Sequence, residues 1–137
     1  LIGGANMTEQ RIYYEDTDAG GVVYHANYLR YFERGRTEFL RERGFSVREL
    51  HEQGYLIPVM RLEIDYLSPA ILDDLIRIET TVLEVTGATC TLRQKVVRIG
   101  DGETLADAMV TLACMGPGKK ARRLPRNMVQ ALTLDKS

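Results

Sequence analysis

The strongest pattern along the chain is helical. Over residues 26–43, apolar or small side chains fall at Tyr28, Leu29, Phe32, Gly35, Phe39 and Leu40, the spacing of one helix face. Arg30, Glu33, Arg34, Glu38, Arg41 and Glu42 lie mostly on its flanks, and Gly44 supplies a C-terminal stop. A shorter helix is predicted over residues 46–53, with Ser46 as N-cap and Glu49 completing a capping box.

Beyond Gly54 the period drops to two. Residues 56–66 set Val59, Arg61, Glu63 and Asp65 against Met60, Leu62, Ile64 and Tyr66, and residues 75–85 place Ile76, Ile78, Thr80 and Val82 on one side. Residues 88–99 and 105–115 flank Gly100-Asp101-Gly102, a hairpin turn. Ala106, Ala108, Val110, Leu112 and Cys114 share a face, and their modest size lets a helix lie close. A short strand over residues 10–14 precedes the long helix. Strands joined by short turns pair antiparallel. The predicted fold is therefore α+β: a curved antiparallel sheet of about five strands wrapped around one long helix. Only one sheet face is covered by that helix. Met109 and Ala113 on the other face predict contact with a second subunit.

Composition narrows the class. A chain of 137 residues suits one domain, and residues 7–137 are assigned to it. Residues 1–6 read as a cloning remnant ahead of a native start at Met7. With 45% hydrophobic residues the chain is too apolar for intrinsic disorder. A net charge of -1 argues against a broad nucleic-acid footprint. No run approaches the ~18 apolar residues that span a bilayer. The first residues lack the basic and apolar regions of a signal peptide. Cys90 and Cys114 both sit in apolar strand runs, which predicts buried, reduced thiols and a cytoplasmic protein.

Candidate chemistry concentrates in Tyr13-Tyr14-Glu15-Asp16-Thr17-Asp18-Ala19-Gly20-Gly21-Val22-Val23-Tyr24-His25-Ala26-Asn27-Tyr28. A carboxylate occupies a glycine-rich turn, and a histidine follows seven residues later where the long helix begins. A helix start offers unpaired N–H groups and partial positive charge, which suit a developing oxyanion. A carboxylate held nearby can act as base or nucleophile on a carbonyl. The plainer alternative makes Asp18 a turn former and His25 a capping residue.

The run from Asp16 to Tyr28 resembles the signature of the 4-hydroxybenzoyl-CoA thioesterase family, in particular its Tol-Pal-associated bacterial acyl-CoA thioesterases. Tyr31-Phe32-Glu33-Arg34-Gly35-Arg36-Thr37-Glu38, Asp65-Tyr66, Pro69-Ala70 and Asp73-Asp74 extend the likeness over roughly residues 11–125. The resemblance implies a hotdog fold and homodimers that often pair into homotetramers, with active sites between protomers. It implies hydrolysis of acyl-CoA to free acid and CoA without a cofactor, acyl carrier protein being the alternative acyl donor. Asp18 matches the catalytic carboxylate, as nucleophile or as general base on water. The His25 backbone N–H matches the group that polarises the thioester carbonyl. Gly20 and Gly21 would let the acyl chain approach closely. The competing class is a non-catalytic acyl-ligand module on the same fold.

Asp16 is the rival carboxylate, otherwise a turn or cap partner. Glu33 is a helix carboxylate of the kind a second lineage of hotdog thioesterases uses; its plainer role is an ion pair with Arg30 or Arg36. His51 reads as a surface residue. Tyr14 and Tyr24 are pocket-lining candidates, with packing as the plainer alternative. The spacing of Asp16, Asp18 and His25 fits no closed zinc site, nor does that of Cys90 and Cys114, so no metal is implied. Lys119-Lys120-Ala121-Arg122-Arg123 is the one basic run, a candidate for the CoA phosphates across the subunit boundary or else a solvated tail. Arg61 and Arg93 are weaker candidates. The turn after the third strand, basic in one relative, reads Thr86-Gly87-Ala88, so that relative's phosphate contacts do not carry over.

Overall fold

In the computed structural model, which describes residues 6–136, the 26–43 stripe forms helix α1 (Asn27–Glu42). Its buried face is Tyr28, Tyr31, Phe32, Gly35 and Phe39. Leu29, expected on that face, is 41% exposed, and Tyr31 takes its place at 1%. Gly44 adopts φ +87, its N–H donates to the Arg41 carbonyl, and the Phe45 N–H donates back to that of Leu40. These two bonds satisfy carbonyls that the helix end would otherwise leave open. In α2 (Val47–Glu52) the Ser46 hydroxyl accepts from the Glu49 N–H, while the reciprocal half of the expected capping box does not form.

Five strands make one antiparallel sheet in the order β1-β3-β4-β5-β2: β1 (Asn6–Arg11), β2 (Val59–Tyr66), β3 (Leu75–Val85), β4 (Thr89–Arg98) and β5 (Thr104–Ala113). The first strand lies earlier than the expected 10–14, and a 3₁₀ turn at Tyr14–Asp16 follows it. Asn6 already pairs with Thr80. Residues 1–5 of the supposed cloning remnant lie outside the described residues. A third helix, α3 (Arg126–Leu134), is an addition to the expected elements; it packs on β3 and buries Met128 and Leu132.

The inner sheet face holds the core. Ile76, Ile78, Val82, Leu92, Val96, Ala106, Ala108 and Val110 are buried beneath α1. The closest approach is at Gly35, where a Cβ would stand 2.7 Å from Ile78 Cγ2. Fully buried Gln94 sits below. Its amide N–H groups donate to the Phe32 carbonyl and the Thr80 hydroxyl, and its oxygen accepts from Arg36. The open sheet face is more polar than Met109 and Ala113 suggest. An Arg93–Asp107 ion pair joins β4 to β5 on it, Arg77–Glu79 and Arg61–Glu63 pairs run along β3 and β2, and Met109 stands 46% exposed among them.

Candidate active site

The segment before α1 folds into a tight loop. A Thr17–Val23 bridge closes it, the Asp18 N–H donates to the Val22 carbonyl, and the Gly21 N–H donates to that of Asp18. Gly21 supplies φ +80, which L side chains rarely adopt. Gly20 donates its N–H to Asp18 Oδ1 at 2.8 Å, and a Cβ on it would meet that oxygen at 3.2 Å. One Asp18 oxygen is thereby fixed by the loop backbone. The other has no partner among the described residues.

Asp16, two residues earlier, is fully engaged. Its Oδ2 accepts from the Tyr13 N–H and its Oδ1 from the Asn27 side-chain amide, both at 2.8 Å. It ties the loop to the first turn of α1, in the turn-or-cap role that was its alternative to catalysis. The loop's other wall is residues 68–74. The Val23 N–H donates to the Ala70 carbonyl, and Val22 bridges Ile71. Arg98 secures that wall, pairing with Asp74 at 3.0 Å and donating to the Pro69 carbonyl at 2.8 Å.

Asp18 and His25 come together on one open cleft of about 310 Å³, with Val22, Tyr28, Tyr66 and Ser68 among its walls. Neither Tyr28 nor Tyr66 was among the expected pocket residues. Tyr66 donates its hydroxyl to the His25 carbonyl at 2.8 Å, and Tyr28 Oη accepts from the Ala70 N–H at 3.2 Å. Burial pushes both hydroxyls above the ordinary tyrosine range. The period-two pattern of β2 and the helical stripe of α1 are the signals for these two side chains, but neither pattern reveals that they face one another. No acceptor among the described residues meets the His25 N–H. It precedes a sixteen-residue helix, whose dipole favours negative charge at this end.

Several candidates lie elsewhere. Tyr14 is 82% exposed on the 3₁₀ turn and Tyr24 is 48% exposed, its ring against His25; neither lines the cleft. Glu33 makes no ion pair within 4.0 Å among the described residues; Arg36 reaches Gln94 instead. Arg93 is held by Asp107 and Arg61 by Glu63. The basic run sits at the opposite end of β2. There Arg122 donates to the Gln53 and Gly54 carbonyls and lies 3.8 Å above the Tyr55 ring, and the Arg123 guanidinium packs over Gly87. The Lys119 and Lys120 side chains are exposed, without partners among the described residues. Cys90 and Cys114 are free and buried, as expected. Among the described residues no group of three or more His, Cys, Asp and Glu could hold a metal ion, and no helix is long and apolar enough to cross a membrane.

Known proteins are similar to this chain in sequence and in fold. Residues 13–132 match the family described as the thioesterase-like superfamily. The chain is 51% identical over 110 residues to the acyl-CoA thioesterase YbgC of Haemophilus influenzae, covering 80% of this chain and 79% of that protein. It is 41% identical over 120 residues to the acyl-CoA thioester hydrolase YbgC of Escherichia coli, covering 87% and 89%. A solved DHNA-CoA thioesterase from Staphylococcus aureus superposes with a TM-score of 0.89 at 26% identity, covering 94% of this chain and 89% of that one.

Proposed function

This chain belongs to the thioesterase-like superfamily and is a thioester hydrolase, and on that footing we propose that it cleaves acyl-CoA to a free carboxylic acid and CoA at the cleft of Asp18 and His25. One observation carries the reading. A carboxylate with one oxygen fixed and the other uncommitted among the described residues shares a cleft with His25, whose N–H lies in the turn just ahead of a long helix and meets no acceptor there. The thioester carbonyl oxygen rests on that N–H, where the helix dipole favours the charge it gains. Asp18 then either attacks the carbonyl carbon to give a mixed anhydride, which water hydrolyses, or takes a proton from a water that attacks instead. In both routes the C–S bond breaks and CoA leaves as thiolate.

The working unit is a dimer joined along β2, two such dimers forming a tetramer. Support comes from β2 ending the sheet, its outer edge unpaired by any strand among the described residues, and from exposed Val59, Met60, Tyr66 and Leu67 along and beside it. An antiparallel join lays the Tyr66 end of one strand beside the Val59 end of the other. The basic run of one protomer then stands near the cleft of its partner, where Lys119 and Lys120 meet the CoA phosphates. Buried reduced thiols accord with a cytoplasmic enzyme.

Asp18→Ala and Asp18→Asn, checked for folding, are assayed by thiol release from a short acyl-CoA. We expect kcat/KM to fall by about two orders of magnitude or more in both. Near-normal values in both would remove Asp18 from the mechanism.

A further inference from the structure

A second cavity, of about 250 Å³, opens where β2 begins, between the C-terminal half of α1 and α2. Leu40, Val47, Leu50 and Ile57 give it apolar walls, and Arg36, Glu33 and His51 are the charged or titratable groups of its lining. Partly buried arginines are normally paired, because a desolvated guanidinium needs an acceptor. Elsewhere in this protein they are: Arg43, Arg77 and Arg98 hold carboxylates, and Arg122 holds two backbone carbonyls. Arg36 differs. Its Nη1 donates at 3.1 Å to the neutral Gln94 amide, and its other N–H groups meet no acceptor among the described residues. Burial pulls its pKa down, and the exposed Glu33, beyond ion-pair distance, offsets this only in part.

We infer that this cavity takes a compact apolar chain ending in a carboxylate, and that the carboxylate lies on Arg36. The apolar walls fit the chain. The unengaged N–H groups of a planar guanidinium fit a carboxylate end. The inference deepens the thioesterase reading and rests on it: the cavity lies a strand's length from Asp18 of its own protomer, so a chain held there is served by the cleft of the opposing protomer. The carboxylate has two sources. It is the distal group of a dicarboxylic acyl thioester, or the acid that hydrolysis releases.

Hexanoyl-CoA and adipoyl-CoA differ only at the far end of the chain, so their kcat/KM ratio reads the first source. Calorimetry with hexanoate and hexanol reads the second. For a dicarboxylic substrate, adipoyl-CoA is favoured about tenfold, the worth of a hydrogen bond to a charged group. For a released acid, hexanoate binds about tenfold tighter than hexanol while the thioester ratio stays near one. In either case Arg36→Gln removes the preference and Arg36→Lys restores part of it. Absence of both preferences in the wild type overturns the inference, as does a preference that survives Arg36→Gln. If Arg36→Gln does not fold, the wild-type ratios and Arg36→Lys still decide. If neither thioester is hydrolysed, the cleft does not take six-carbon acyl-CoA, while calorimetry still tests Arg36.

Discussion

Asp16 and Asp18 are the same residue type two positions apart, and their hydrogen bonds give them different roles. Asp16 spends both oxygens on the loop and on α1, whereas Asp18 keeps one uncommitted among the described residues, above the cleft. The sequence displays the pair and the glycines beside it, but not which oxygens the fold consumes. The cysteines show burial acting on chemistry in the same way. Desolvation pushes the Cys90 thiol from 9.0 up to about 12 and raises Cys114 as well. We expect neither to react with a disulfide reagent at neutral pH in the folded protein, and both to react after denaturation. A fast-reacting thiol in the native protein would contradict this burial. The linkage has a definite sign. A thiol whose folded pKa is raised contributes its full stability below 9.0 and loses it as pH rises toward about 12. The thermal midpoint should accordingly decline across that alkaline window.

At the scale of elements, α1 is fixed by how closely it can approach the sheet. Gly35 sets that approach, with Ile78 Cγ2, Gln94 Nε2 and Thr80 Oγ1 all within 3.2 Å of where a Cβ would stand. Gly35→Ala must push the helix outward or displace the Gln94 hydrogen bonds. We expect a loss of about 1–3 kcal/mol in chemical unfolding, with lower kcat/KM because the helix start moves relative to Asp18. A variant as stable as the parent would show that the sheet yields instead. Strongly periodic elements are legible from the residue pattern alone. β3 runs from Leu75 to Val85 as its alternation indicates, and α1 stops at the glycine that ends its stripe. Weakly periodic ones are not. β1 reads Asn-Met-Thr-Glu-Gln-Arg, an edge strand held by backbone pairing with β3 and lacking an apolar face to announce it. α3 has no side-chain cap and buries only Met128 and Leu132, so tertiary packing, aided by the Arg43–Asp135 ion pair, specifies it.

On the scale of the whole molecule, the cleft and the basic loop are separated by the length of β2. Asp18, His25 and Tyr66 lie at one end, while Arg122 and Met115 anchor residues 115–122 at the other through Gln53, Gly54 and Leu56. Eight strand residues at about 3.3 Å each put roughly 25 Å between them. An antiparallel β2–β2 join removes that separation for groups on opposite protomers, so the proposed site is divided between two chains. Arg122 is engaged by Tyr55 and the Gln53–Gly54 carbonyls, which leaves Lys119, Lys120 and the exposed Arg123, lying over Gly87, as the cations of the run without an acceptor among the described residues. Lys119→Gln with Lys120→Gln should raise KM and flatten its salt dependence. Co-expressing that variant with Asp18→Ala under two affinity tags then tests the division directly. A purified hybrid dimer carries one site with neither defect and one with both, if carboxylate and lysines meet across the boundary. At low substrate the hybrid should then reach about half the wild-type activity per dimer. If both groups serve the same site within one protomer, the hybrid does no better than the average of its parents, and the divided site is wrong.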